Sequence, residues 1–124
     1  MAMPDNLPRV QPLCPRVGVV GLCSPLEVGA DQAPAATAEL AALLRENGCE
    51  VVEAGVLDGP DRATAAGRRL AEAHVDAVAG VAVSWYEDYL VLDLLEECAV
   101  PLVLWSLPGM ETGALCGTQQ PCTG

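Results

Sequence analysis

Two short loops hold most of the side chains that could do chemistry. Cys23-Ser24-Pro25-Leu26-Glu27 follows one apolar run, and Ser84-Trp85-Tyr86-Glu87-Asp88 follows another. Trp85 offers an aromatic face beside two carboxylates. Such a face stacks against the apolar side of a sugar, and equally well packs into a core or an interface. Ser24 and Glu27, on the first loop, complete the candidate binding set. Cys23 would be a nucleophile if a helix N-terminus favoured its thiolate, and a structural thiol otherwise. A two-thiol racemase needs a second cysteine in a Cys-Asn-Thr setting, which the sequence lacks. Cys116, in Ala114-Leu115-Cys116-Gly117, is open to the same two readings. Glu27, Glu87, Asp88 and Glu111 have the chemistry for acid–base work or for a hard cation, although loop-tip carboxylates also serve simply as solvated charge. Acids without histidine are a poor transition-metal set. The single histidine, His74, closes a helical segment and reads as a C-terminal cap.

Several chemistries are excluded. Gly18-x-x-Gly21 is not the G-x-G-x-x-G dinucleotide fingerprint, and a chain without lysine has no phosphate-loop lysine. A phosphate receiver would want paired acids after the first strand and a late lysine, and neither is present. Six arginines against 17 acidic residues leave a net charge of −11. That balance argues against nucleic acid, whose phosphates need cations, and against anchoring on anionic lipid. No apolar run reaches the ~18 residues of a membrane span. Met1 to Pro8 lacks the basic and apolar regions of a secretory signal. The cysteines at 14, 23, 49, 98, 116 and 122 form no C-x-x-C pair, and Cys49 and Cys98 sit in apolar periodic segments. Reduced thiols and a cytoplasmic location are therefore expected.

The elements that must position these loops follow from periodicity. At 124 residues, 52% hydrophobic and 19% charged, the chain suits one folded domain. Without phenylalanine its core must be built from Val, Leu and Ala. Arg16 to Leu22 reads as a buried strand. A helix follows, with Asp31 as N-cap, Pro34 in its first turn, Gly48 as its stop and Ala36, Leu40, Leu43 and Leu44 on its apolar face. Cys49 to Ala54 is the second strand, ending at Gly55. Asp58-Gly59-Pro60-Asp61 is a turn and cap for a second helix, with Ala63, Ala66, Leu70 and Ala73 inward. Val75 to Val83 is the third strand. Val91, Leu94, Leu95 and Cys98 mark a third helix, and Ala99 to Trp105 a fourth strand with Pro101 at its start.

The pattern βαβαβαβ predicts an open parallel sheet, flavodoxin-like, with strand order 2-1-3-4 in three α/β/α layers. The first helix covers one face, and the second and third cover the other. Ligands of such sheets bind beyond the carboxyl ends of the strands where the order reverses. That crevice lies between the Cys23–Glu27 and Ser84–Asp88 loops, with Ser106 to Gly113 nearby. The expected organisation is an extended tail over 1–15, an α/β domain over 16–105 and a loop tail over 106–124. Leu102, Val103, Leu104 and Trp105 make the edge strand apolar on both faces and leave it without a protecting charge. A longer polypeptide or a partner is expected to cover it, and a covering loop from 106–124 is the alternative.

Arg16-Val17-Gly18-Val19-Val20-Gly21-Leu22, Val75 to Trp85, and Val100-Pro101-Leu102-Val103-Leu104-Trp105 followed by Pro108-Gly109 and Leu115-Cys116-Gly117 carry a resemblance. Over residues 16–120 the chain resembles the N-terminal domain of the L-fucose/L-arabinose isomerase family. The resemblance implies an aldose–ketose isomerase, with manganese bound by Glu, Asp and His residues of later domains and with no ligand in this segment. It also implies a domain that helps form a homo-oligomer and closes over a monosaccharide at a subunit interface. Trp85 matches the sugar-contacting aromatic residue by placement, whereas Trp105 belongs to the strand motif. On this resemblance the segment is expected to be inactive alone. Two other classes stay open: a stand-alone doubly wound ligand-binding or adaptor domain, and a small isomerase or racemase using Cys23.

Overall fold

The computed structural model describes residues 13–106. In chain order, β1 (Arg16–Leu22) leads through a 3₁₀ turn (Ala30–Gln32) into α1 (Ala33–Glu46). Then come β2 (Glu50–Leu57), α2 (Pro60–Glu72), β3 (Ala77–Ala82), α3 (Tyr89–Glu97) and β4 (Leu102–Ser106). The four strands form one parallel sheet in the order β2-β1-β3-β4. This is the open three-layer α/β fold predicted from the alternation of strands and helices.

Residue parity along the strands divides the core into two. Val17 and Val19 of β1, with Ala79 and Val81 of β3, face α1 and pack with Ala33, Leu40 and Ala41. Val20, Leu22 and Val78 face the other way, against Leu70 of α2 and Leu90 and Leu94 of α3. Both faces of the central strands are dry, which is why β1 and β3 read as continuous apolar runs. α2 and α3 also press on each other at Gly67. A Cβ built there would stand 2.6 Å from the Leu94 carbonyl oxygen, so only glycine fits.

Several boundaries differ from expectation, each for a local reason. Asp31 is not an N-cap. Gly29, at φ 91°, starts the 3₁₀ turn that holds Asp31, and α1 opens after Gln32 with no side-chain cap. Leu43 is exposed rather than inward. The buried stripe instead uses Thr37, whose hydroxyl donates to the Ala33 carbonyl at 2.6 Å and so enters the core satisfied. β2 does not stop at Gly55 but runs on to Leu57. Val19 pairs with Glu53 and Val20 with Gly55, so Ala54 is an extra residue and Gly55, at φ 86°, absorbs the bulge. Parity flips there: Val52 and Ala54 pack towards α2, and Val56 towards α1. The third and fourth strands are shorter at their starts than predicted, since Val75 and Val100 belong to the turns that lead into them. On α3, Leu90 joins Leu94 and Cys98 as the buried row, with Val91 and Leu95 half-buried beside it.

β4 lies at the sheet edge, as the predicted order requires, and among the described residues it pairs with β3 alone. Leu102 and Leu104 pack on the α2/α3 side, while Trp105 packs on the α1 side. Val103, on the face of Trp105, is 63% exposed. Among the described residues no helix is long and apolar enough to cross a membrane. Most of the predicted tail at 1–15 and all of the loop tail after Ser106 lie outside the described residues, and Glu111 and Cys116 with them.

Candidate functional site

The carboxyl ends of β1 and β3 are adjacent because these strands are paired at the centre of the sheet, ending at Leu22↔Ala82. Beyond that pair the ladder continues as a stitched junction. Val83 N–H donates to the Leu22 carbonyl at 3.0 Å, and Ser24 N–H donates to the Trp85 carbonyl at 3.1 Å. Buried Ser84 places its hydroxyl oxygen 3.2 Å from the same Ser24 N–H and donates its own proton to the Trp85 carbonyl at 2.9 Å. The two loops therefore start from one fixed hydrogen-bonded point. Cys23 N–H donates to the Leu57 carbonyl at 3.2 Å, which brings the end of β2 to the same place.

A cleft of about 200 Å³ opens at this point, lined by Cys23, Ser24 and Leu26 on one side and by Asp58, Glu87 and Tyr89 on the other. Of the candidates taken from the sequence, Ser24 lines it. Trp85 does not line the cleft itself. Its carbonyl is joined to the lining residue Ser24, and its side chain is half-exposed, at 47%. Glu27 is half-buried in the turn after Ser24, where its N–H donates to the Ser24 carbonyl at 3.0 Å, and it is not part of the lining. Glu87 is in the lining, whereas Asp88 sits at the N-terminus of α3 without a side-chain cap bond.

Asp58 and Tyr89 were missed as cleft residues. The sequence pattern puts Asp58 in a turn and cap. Gly59 is the residue that caps α2, and Asp58 instead meets Arg62 one turn along at 3.4 Å. The available signal was positional: Asp58 directly follows β2, which pairs with β1, so it had to arrive at the same carboxyl-end crevice.

The electrostatics disfavour a nucleophilic role for Cys23. Burial pushes its thiol above the usual range and the Asp58 carboxylate pushes it further, with Arg62 only partly offsetting them. A neutral thiol is a poor nucleophile. Among the described residues Cys14, Cys23, Cys49 and Cys98 form no disulfide. His74 is not itself the cap of α2, which is Ala73; it follows that cap with a left-handed φ of 53°, and its N–H donates to the Ala71 carbonyl at 3.1 Å as the helix ends. Among the described residues no three His, Cys, Asp or Glu side chains gather as a metal site. What remains is a small acidic cleft with a hydroxyl and a phenol, and a half-exposed indole on the adjoining loop. Such a surface suits a neutral polar ligand better than an anion. Comparison of the chain with protein-family models, with curated proteins and with solved structures returns no match.

Proposed function

We propose that this chain is a substrate-closing domain of a sugar-handling enzyme, an aldose–ketose isomerase of the manganese-dependent kind that its motifs resemble. Its part is to cover a monosaccharide rather than to transform it. The observation that carries the reading is Trp85: a half-exposed indole whose backbone carbonyl is bonded to Ser24, a lining residue of the cleft formed by Asp58, Glu87, Ser24 and Tyr89. Carboxylates and hydroxyls accept and donate to sugar hydroxyls, and an aromatic face covers the C–H side of the ring. Leu26 extends the apolar rim and is 93% exposed, as suits a surface that meets another subunit around the ligand.

On this reading manganese and the proton-moving carboxylates belong to other domains, and this chain contributes enclosure and exclusion of water. The chain alone, incubated with L-fucose or L-arabinose and manganese, gives no ketose, while the indole N–H resonance of Trp85 shifts on titration with the sugar. Turnover by the chain alone overturns the closing role. An indole that does not respond to either sugar at high millimolar concentration overturns the sugar assignment and favours a ligand-binding domain of another kind.

A further inference from the structure

A second concavity lies at the opposite edge of the sheet from β4, and it has the reverse electrical character. It is a groove of about 320 Å³ between β2 and α2. Ala54, Gly55 and Val56 form one side, at the bulge. Ala65 and Ala66 form the other, and Arg62 and Arg69 flank it. Among the described residues no acidic side chain lines this groove, in a chain carrying 17 acids against six arginines.

The partners of the arginines make the case sharper. Arg16 meets Glu50, Arg45 meets Glu53, Arg62 meets Asp58 and Arg68 meets Glu97. Arg69 has no carboxylate partner among the described residues, and it is the one that faces the groove together with Arg62. Seven residues apart on α2, the two guanidinium stems rise from the same helical face, about 10 Å apart along the axis, so their forks can converge on a group seated between them. The small side chains of Ala54, Gly55, Ala65 and Ala66 leave the space that such a group needs.

We infer that this groove is an oxyanion site, taking the phosphoryl or carboxylate group of a small molecule between Arg62 and Arg69. Guanidinium forks match both groups by paired charge-assisted hydrogen bonds. The net charge of −11 does not forbid it, because at physiological salt distant carboxylates are screened beyond roughly 8 Å while contact pairs are not. The groove shares no lining residue with the cleft beside Trp85 and meets it only through the Arg62–Asp58 contact.

The test is a titration of the isotopically labelled full chain with inorganic phosphate and, separately, with citrate, following backbone amides and arginine Nε–H signals. Saturable shifts confined to Arg69, Arg62, Gly55, Ala65 and Ala66 are expected. Arg69→Ala should weaken binding about tenfold or more, while Arg68→Ala, whose side chain is turned to Glu97, should change it less than about twofold. A response to phosphate alone assigns a phosphoryl ligand, and one to citrate alone a carboxylate. Shifts that fail to saturate with both probes, that spread over all the arginines, or that survive Arg69→Ala overturn the site. Both variants replace exposed side chains, and unchanged amide dispersion confirms that they fold.

Discussion

Replacing Trp85 by alanine tests the proposed sugar contact most directly. The residue is 47% exposed, so roughly 100 Å² of a side chain of ~150–250 Å² is still available to a ligand. A sugar ring covers one face of an indole, on the order of 50 Å², worth about 1.2 kcal/mol at ~25 cal/mol per Å². That corresponds to a loss of roughly sevenfold in affinity. Trp85→Phe keeps part of the stacking face and should fall between the two. The backbone bond from Ser24 to the Trp85 carbonyl does not depend on the side chain and should persist in both variants. The assay is a titration with L-fucose and L-arabinose followed by amide shifts of Ser24 and Glu87, which flank the cleft in every variant. Trp105, packed on the α1 side of β4, supplies an internal control indole that should not move. Affinity unchanged within about twofold in folded Trp85→Ala, or an equal response at Trp105, would refute the stacking argument.

Two further predictions concern packing and pH. Gly67→Ala should destabilise the fold by about 1–3 kcal/mol, the usual cost of overpacking. The added methyl meets the Leu94 carbonyl oxygen at 2.6 Å and the Glu97 Cβ at 2.8 Å, which outweighs the ~1 kcal/mol that alanine gains over glycine in a helix. Urea unfolding decides it, and a gain in stability would contradict the close approach of α2 and α3. Burial raises the thiols of Cys23 and Cys98 above their ordinary 9.0. The folded chain therefore holds protons that the unfolded chain releases. Their contribution is fully present below that value and is lost as pH climbs above it. Denaturation midpoints should fall on the alkaline side of 9.0 and fall less in a Cys23→Ala/Cys98→Ala double variant; equal slopes would show that the thiols are not the cause.

The layers, the strand order and the bounds of β1 were legible because both core faces are written in local periodicity. Val17 and Val19 alternate with Gly18 and Val20, and Leu70, Leu90 and Leu94 recur at helical spacing. What the sequence hid depends on relations between segments. Gly55 looks like a strand stop in isolation; only its register against Val20 makes it a bulge. Thr37 looks too polar for the core until its hydroxyl finds the Ala33 carbonyl. The site was legible in part for the same reason. The loops after β1 and β3 followed from topology and bring Ser24 and Glu87 into the cleft, whereas Trp85 is not in its lining. Asp58 and Tyr89 reach the cleft from the ends of other elements, and neither carries a motif.

The two concavities also explain how so acidic a chain keeps distinct surfaces. Asp58 lines the cleft, Arg62 lines the groove, and their 3.4 Å contact spans the short step between them. Asp58 pushes the Cys23 thiol up and Arg62 pulls it down, so both charges are felt where β1 ends. An anion seated beside Arg69 would compete with Asp58 for the Arg62 fork and leave the cleft carboxylate with one fewer partner. The pair is exposed enough that its own stabilisation is at most about 1 kcal/mol, so it can exchange partners at little cost to the fold. A weak surface ion pair of this kind is a poor structural brace and a good place to join two sites, because each ligand needs to overcome only a small competing interaction to be felt by the other.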